Sequence, residues 1–318
     1  MGRVLPTFCR HNRFLENCPI CSKDLEPAAA PARARSRSGG SRSGSAVRIR
    51  QAGRSADDGY RVPLAPGLRA SDDARRLAVE LGFAAARLEE LATSPPGLYA
   101  EVASEPDIEE ATWLAFLIAY LSPVEGELAF DAIASVRTSW ASGELPALDG
   151  VATGPRSAHD SGQGTTTLLA YRRWAERAGS QAAAFTGETH WDGARRFART
   201  FERLSLPGLH RAARFDLLVT LGRTGRYDLR AGSLLIGGAP SDDDTAIAAK
   251  RVFGIADPLL IDRRGAALAE ACEVPLEALD LGLYNWQRGD DGRATFGAGA
   301  AARADTARGE RTASALGV

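Results

Sequence analysis

The sequence predicts an all-α body of two packed helical lobes, preceded by a short cysteine-rich segment and a linker. Three observations carry that reading: apolar residues recur at three- and four-residue steps, alternating strand patterns are scarce, and capping residues, Gly and Pro punctuate the helical stretches. At 318 residues the chain can bury a substantial core, and its length permits two lobes. No run reaches the roughly 18 apolar residues of a membrane span, and Ala111 to Leu121, the most apolar stretch, has the length of a buried helix. The N-terminus lacks an apolar signal region, so a cytoplasmic location and no membrane partner are expected.

The first element, residues 1–25, is dominated by Cys9-x-His11-x6-Cys18-x2-Cys21. In a reducing compartment, clustered cysteines point to metal or catalysis rather than to disulfides. Three thiols and an imidazole supply the four ligands of tetrahedral zinc, and Cys18 and Cys21 have the tight bite of a zinc knuckle. A full ligand set makes that zinc structural, since a catalytic zinc keeps one position open. The alternative, a redox pair beside an incidental histidine, lacks the βαβ pattern that would accompany it. Cys272, alone in an apolar stretch, reads as a small core residue.

Residues 26–60 read as a flexible Arg/Ser/Gly linker. Seven arginines and no acid lie between Arg33 and Arg54, which suits a phosphate backbone and equally suits a plain solvated linker. Over the whole chain 39 cationic and 40 acidic residues nearly cancel, which excludes a polybasic tail protein. Lysine occurs only at Lys23 and Lys250, so nearly every cation is the planar fork suited to phosphate.

The helical body is expected over residues 61–288. Ser71 to Ala92 aligns Leu77, Leu81, Ala84, Leu88 and Leu91 on one stripe. The next strong helix is expected to open with a capping box at Ser104 and Asp107 and to stop before Pro123. HWDGARRFARTFERL should bury Trp191, Ala194, Phe197, Phe201 and Leu204. SDDDTAIAAKRVFG is expected to be capped by Ser241 and closed by Gly254, and PLEALDLGLYNW to bury Leu276, Leu279, Leu283 and Trp286. Residues 289–318, rich in Gly, Ala and mixed charge, are expected to be disordered.

Two stretches carry candidate chemistry. In LSLPGLHRAARFDLLVTLG a sharp Leu206-Pro207-Gly208-Leu209 turn joins two helices. It resembles the hairpin of helix-hairpin-helix DNA glycosylases, in which amides at a helix N-terminus hold a DNA phosphate. The resemblance makes Pro207, Gly208, Leu209, His210 and Arg211 DNA-binding candidates. It departs from the family at His210, where the second hairpin glycine would stand, and at Ala212, where the Schiff-base lysine would stand, so water would be the nucleophile.

AAKRVFGIADPLLIDRRGAALAEA resembles the segment leading to the glycosylase catalytic aspartate, which places Asp262 in that role. A register anchored on the LPG turn places Asp228 there instead, twenty residues past Gly208. Either aspartate could simply cap a helix. Glu125 and Glu127 lie where such a fold builds part of its base pocket.

Taken with the Cys/His knuckle, WLAFLIAYLSP and LDLGLYNW, the pattern from Trp113 to Trp286 is similar to the α-glutamyl/putrescinyl thymine pyrophosphorylase-like family, helical relatives of DNA glycosylases. The resemblance implies a two-lobed helix-hairpin-helix glycosylase-like domain and DNA with modified bases as partner. It also implies a monofunctional hydrolase that flips and excises a bulky pyrimidine, such as glucosylated 5-hydroxymethylcytosine, in defence against phage. Two alternatives stay open. One is an enzyme joining an amine to a pyrophosphorylated 5-hydroxymethylpyrimidine in DNA; the other is a zinc-containing DNA-binding adapter without catalysis.

Overall fold

Twelve α-helices and no strand make up the described residues: α1 Ser71–Thr93, α2 Leu98–Ser104, α3 Ile108–Leu121, α4 Asp131–Val136, α5 Gly164–Arg177, α6 Gln181–Thr186, α7 Gly193–Arg203, α8 Arg211–Arg223, α9 Asp244–Phe253, α10 Pro258–Ala271, α11 Leu276–Arg288 and α12 Thr306–Leu316. The computed structural model describes Gly53, residues 55–124, Gly126, residues 128–297 and residues 306–318. Cys9, His11, Cys18 and Cys21, like Glu125 and Glu127, lie outside the described residues. The described residues belong to one compact unit.

The stripe of α1 is buried as its period requires, and α1 packs on α8, α11 and α12. Helix α3 is apolar on every side and accordingly buried all round from Ala111 to Leu121. Its rings stack into those of α5: Trp113 lies on Phe116 at 5.4 Å, and Phe116 on Tyr171 at 3.8 Å. Ser104 does not cap α3; it ends α2 and donates to the Ala100 carbonyl, while Asp107 alone accepts the Glu109 amide at 2.8 Å. In α7, Phe197 and Phe201 are buried but Ala194 is exposed. The cap of α9 is Asp243, two residues beyond Ser241, while Gly254 closes the helix in the left-handed conformation as expected.

Within residues 289–318, expected to be disordered, Thr306–Leu316 form α12, which packs on α1. Gly and Ala, which read as a poor core composition, here permit close approach: a Cβ on Gly82 would lie 2.7 Å from the Gly309 amide nitrogen. Leu316 is fully buried, and Tyr60 donates its hydroxyl to the Leu316 carbonyl.

Beneath the later helices lies a buried ion cluster. Arg156, from the loop before α5, donates from Nε and Nη2 to the Asp216 carboxylate at 2.7 Å each and from Nη2 to Asp280 at 2.7 Å. Arg211 shares Asp280. Burial pushes Asp216 up; the same burial acts on Asp280, but two arginines outweigh it and hold that carboxyl below its ordinary value. Two cations against two anions make this burial tolerable and tie the 155–157 loop to α8 and α11.

Candidate functional site

The LPG turn lies between α7 and α8. The Leu209 amide donates to the Leu206 carbonyl at 3.1 Å, and Gly208 has φ of 74°. A Cβ on Gly208 would fall 2.2 Å from Thr167 Oγ1 of α5, so only glycine satisfies both the turn and the packing. Pro207, Gly208 and His210 are exposed and Leu209 is buried. His210 takes the N-cap position of α8 without capping it; its Nε2–H donates instead to the Ser157 carbonyl at 2.8 Å. The first amides of α8 therefore lack a side-chain cap and keep the partial positive charge of a helix start.

Arg211 is not available to DNA. It is 1% exposed, its guanidinium held by Asp280 and the Leu234 carbonyl, because the helix turns this position inward onto α11. Ala212 is also buried.

A cavity of about 440 Å³ opens where the starts of α8 and α9 converge, walled by the 155–157 loop and by Tyr284 and Arg288 near the end of α11. His210 and Ala212 line one side and Asp242, Asp243 and Asp244 the other. The three acids differ in state. Asp243 caps α9 by accepting the Ala246 amide at 2.8 Å and lies 3.9 Å from Arg211 Nη1. Asp244 is partly buried, 2.6 Å from Arg288 Nε; burial raises its pKa, Arg288 opposes that, and the neighbouring acids add to it. Asp242 is exposed and has no ion pair among the described residues. A partly dehydrated carboxylate, a solvated one and an uncapped helix start thus share one cavity, an arrangement suited to a cationic centre and an attacking water.

Asp262 lies outside this cavity. It is not the helix start, since Asp257 caps α10 by accepting the Leu260 amide at 3.0 Å. One turn further on, the Asp262 carboxylate accepts the Leu234 amide at 3.0 Å and pins the loop before α9; burial raises its pKa. Asp228 lines a separate, open groove of about 770 Å³ together with Arg223, Arg230 and Glu277. Its carboxylate is 57% exposed and paired with Arg196 at 3.0 Å, so water and a cation already screen its field.

No protein-family model, curated protein or solved structure matches this chain.

Of the catalytic and binding candidates named from the sequence, His210 alone among those described lines the cavity, beside Ala212, where the lysine is missing. Asp244, Arg288, Arg156 and Tyr284 went unmarked. The signal available was the SDDD run at a helix start, which the sequence marks only as the capped opening of a helix. Among the described residues no group of three or more His, Cys, Asp or Glu could hold a metal ion.

Proposed function

We propose that this chain is a DNA glycosylase-like hydrolase that takes a flipped, bulky modified pyrimidine into the cavity at the starts of α8 and α9 and cuts its glycosidic bond. The observation that carries the reading is the meeting, in one cavity, of the LPG hairpin's helix start and a partly buried carboxylate. At about 440 Å³ it has the scale of a small-molecule site and room for a base with an appended group. The hairpin, with Pro207, Gly208 and His210 exposed just before α8, would hold the backbone while the target nucleotide leaves the stack.

Cleavage of the bond between the sugar C1′ and the base nitrogen sends the bonding electrons to the base and leaves a cationic sugar. Arg288 favours the charged form of Asp244, which stabilises that cation. Asp242, solvated and without an ion pair among the described residues, orients water and takes its proton; the water oxygen bonds to C1′, and that proton passes on through solvent to the departing base nitrogen. Alanine at position 212 offers no amine for a covalent route.

The finer architecture belongs to the same reading: two helix-hairpin-helix lobes, a cytoplasmic setting and a role against phage DNA carrying glucosylated 5-hydroxymethylcytosine. Cys9, His11, Cys18 and Cys21 have the donor chemistry of a closed structural zinc site, and zinc there would fold the N-terminal segment.

The test is incubation of the full chain with glucosylated and with unmodified DNA, reading released bases by mass spectrometry and abasic sites chemically. Release from modified DNA alone is expected. Asp244→Asn should slow it by about 10²- to 10⁴-fold with DNA affinity kept. Full activity in that variant moves the chemistry to another carboxylate. Absence of release by the wild type, with transfer of an amine to a pyrophosphorylated base, would replace this reading by the base-modifying one.

A further inference from the structure

The far end of α9 carries a second feature that the cavity chemistry does not use. Ten residues of helix place it about 15 Å from the acidic start, the rise of roughly four base steps. There a cleft of about 490 Å³ is lined by Arg69, Lys250, Arg251 and Arg264 and by no acid. Arg69, Lys250 and Arg264 have no carboxylate partner among the described residues. Asp57 feels the charge of Arg69, but its carboxylate is bound to Arg61 and the Gly59 amide. Arg264 reaches across to the Phe253 carbonyl, which leaves its positive charge uncompensated at the cleft wall.

One turn before Arg264 of the cleft wall, α10 begins by exposing two adjacent leucines. Leu259 is 79% and Leu260 42% exposed, and they are two of the five large apolar side chains exposed among the described residues. Helix α10 has no need of them for its packing, since Ile261, Gly265 and Leu268 face the core. Four residues on, one turn further along the same faces, stand Arg263 and Arg264. Arg263 is exposed and has no ion pair among the described residues. Of the acids nearby in sequence, Asp257 is committed to capping α10, and Asp262 accepts the Leu234 amide and has no ion pair among the described residues.

We infer that the α9–α10 corner is a nucleic-acid docking face, with the cleft seating backbone phosphates and the leucine pair pressing on base or sugar surface. The inference rests on the reading of this chain as an enzyme acting on DNA. Planar arginine forks match phosphodiester oxygens, and apolar wedges beside such cations stabilise a distorted strand from which a base can leave. An anionic membrane would also attract cations and leucines. It fits less well: one turn with two leucines is too short an apolar face to lie in a bilayer interface, and the cations line a recess.

The test uses the full chain and measures its affinity for a duplex carrying the modified base across a range of salt. Lys250→Gln with Arg263→Gln should weaken binding at least tenfold at 0.1 M salt and lower the slope of log affinity against log salt by about two, one for each phosphate deprived of its cation. Leu259→Ser with Leu260→Ser should weaken binding about tenfold with the slope unchanged. Wild-type binding with both variants indistinguishable from it would overturn the docking face and leave the hydrolase reading intact. Binding that depends on these residues, without base release by the wild type, would do the reverse. Wild-type capture by anionic vesicles but not by DNA would overturn both.

Discussion

The two ends of α9 have opposite charge and hold it in opposite ways. At the start, Asp243 and Asp244 are bound to an amide and to Arg288, and the arginines beneath, Arg156 and Arg211, are fully buried on carboxylates. At the end, Arg69, Lys250 and Arg264 stand without a carboxylate partner among the described residues. The same residue type therefore serves the fold in one place and is left for a partner in the other. What separates them is the supply of acids from neighbouring helices: α8 and α11 bring Asp216 and Asp280 to the first group, and no acid lines the cleft that holds the second. A net charge of −1 conceals both facts.

The comparison breaks most visibly at Arg156. Replacing it with Met leaves Asp216 and Asp280 buried with Arg211 alone, and removal of one partner from a buried ion cluster costs about 3–5 kcal/mol. Urea unfolding should show the midpoint falling with its slope unchanged, whereas Lys250→Gln should stay within about 0.5 kcal/mol of wild type. Equal small effects would mean that the two arginine populations do not differ. The acid limb of stability sharpens the point. Asp280 is held below 3.8, so its contribution is present above that pH and is lost as pH falls through its lower folded value. Asp216 is raised and works in the other direction, its unfavourable ionisation relieved as pH falls through the raised value toward 3.8.

A smaller effect is expected at Gly208, which aims the hairpin at the acidic end. Alanine there meets both a positive φ and Thr167 Oγ1, and should cost about 1–3 kcal/mol. Thr167→Ala in the same chain removes the clashing oxygen but not the strained backbone, so about half the loss should return in a double-mutant cycle. Complete rescue would assign the whole effect to packing, and none would assign it to the turn.

The helices were legible where apolar residues recur at helical period, as in α1 and α11, or run unbroken for a helix's length, as in α3. The LPG turn was legible because the positive φ at Gly208 leaves a local mark. What the sequence concealed depends on distant partners. Any residue of Ser241 to Asp244 could cap α9; Asp243 does so where Arg211 of α8 lies 3.9 Å away, and Asp244 is held by Arg288 of α11. Helix α5 was hidden by three threonines and stands because its rings stack on α3. Helix α12 was hidden because small residues serve close packing as readily as disorder.

The smallest expected effect is the most discriminating for the catalytic assignment. Asp262 occupies the position that the resemblance of AAKRVFGIADPLLIDRR assigns to the catalytic aspartate, yet its carboxylate accepts the Leu234 amide and lines none of the three cavities. Asparagine keeps an oxygen for that amide and removes a charge that burial disfavours. Because the folded pKa is raised above 3.8, ionised Asp262 lowers stability at neutral pH, and that penalty is relieved as pH falls through the raised value toward 3.8. Asp262→Asn should therefore equal or exceed wild-type stability at neutral pH, by less than about 1 kcal/mol after solvent screening, with the difference closing in acid. Its base release should stay within twofold of wild type. A hundredfold loss of release at unchanged stability would show that the motif register was right, that the loop around Leu234 moves aside when DNA binds, and that the acidic start of α9 recognises the base rather than cutting it.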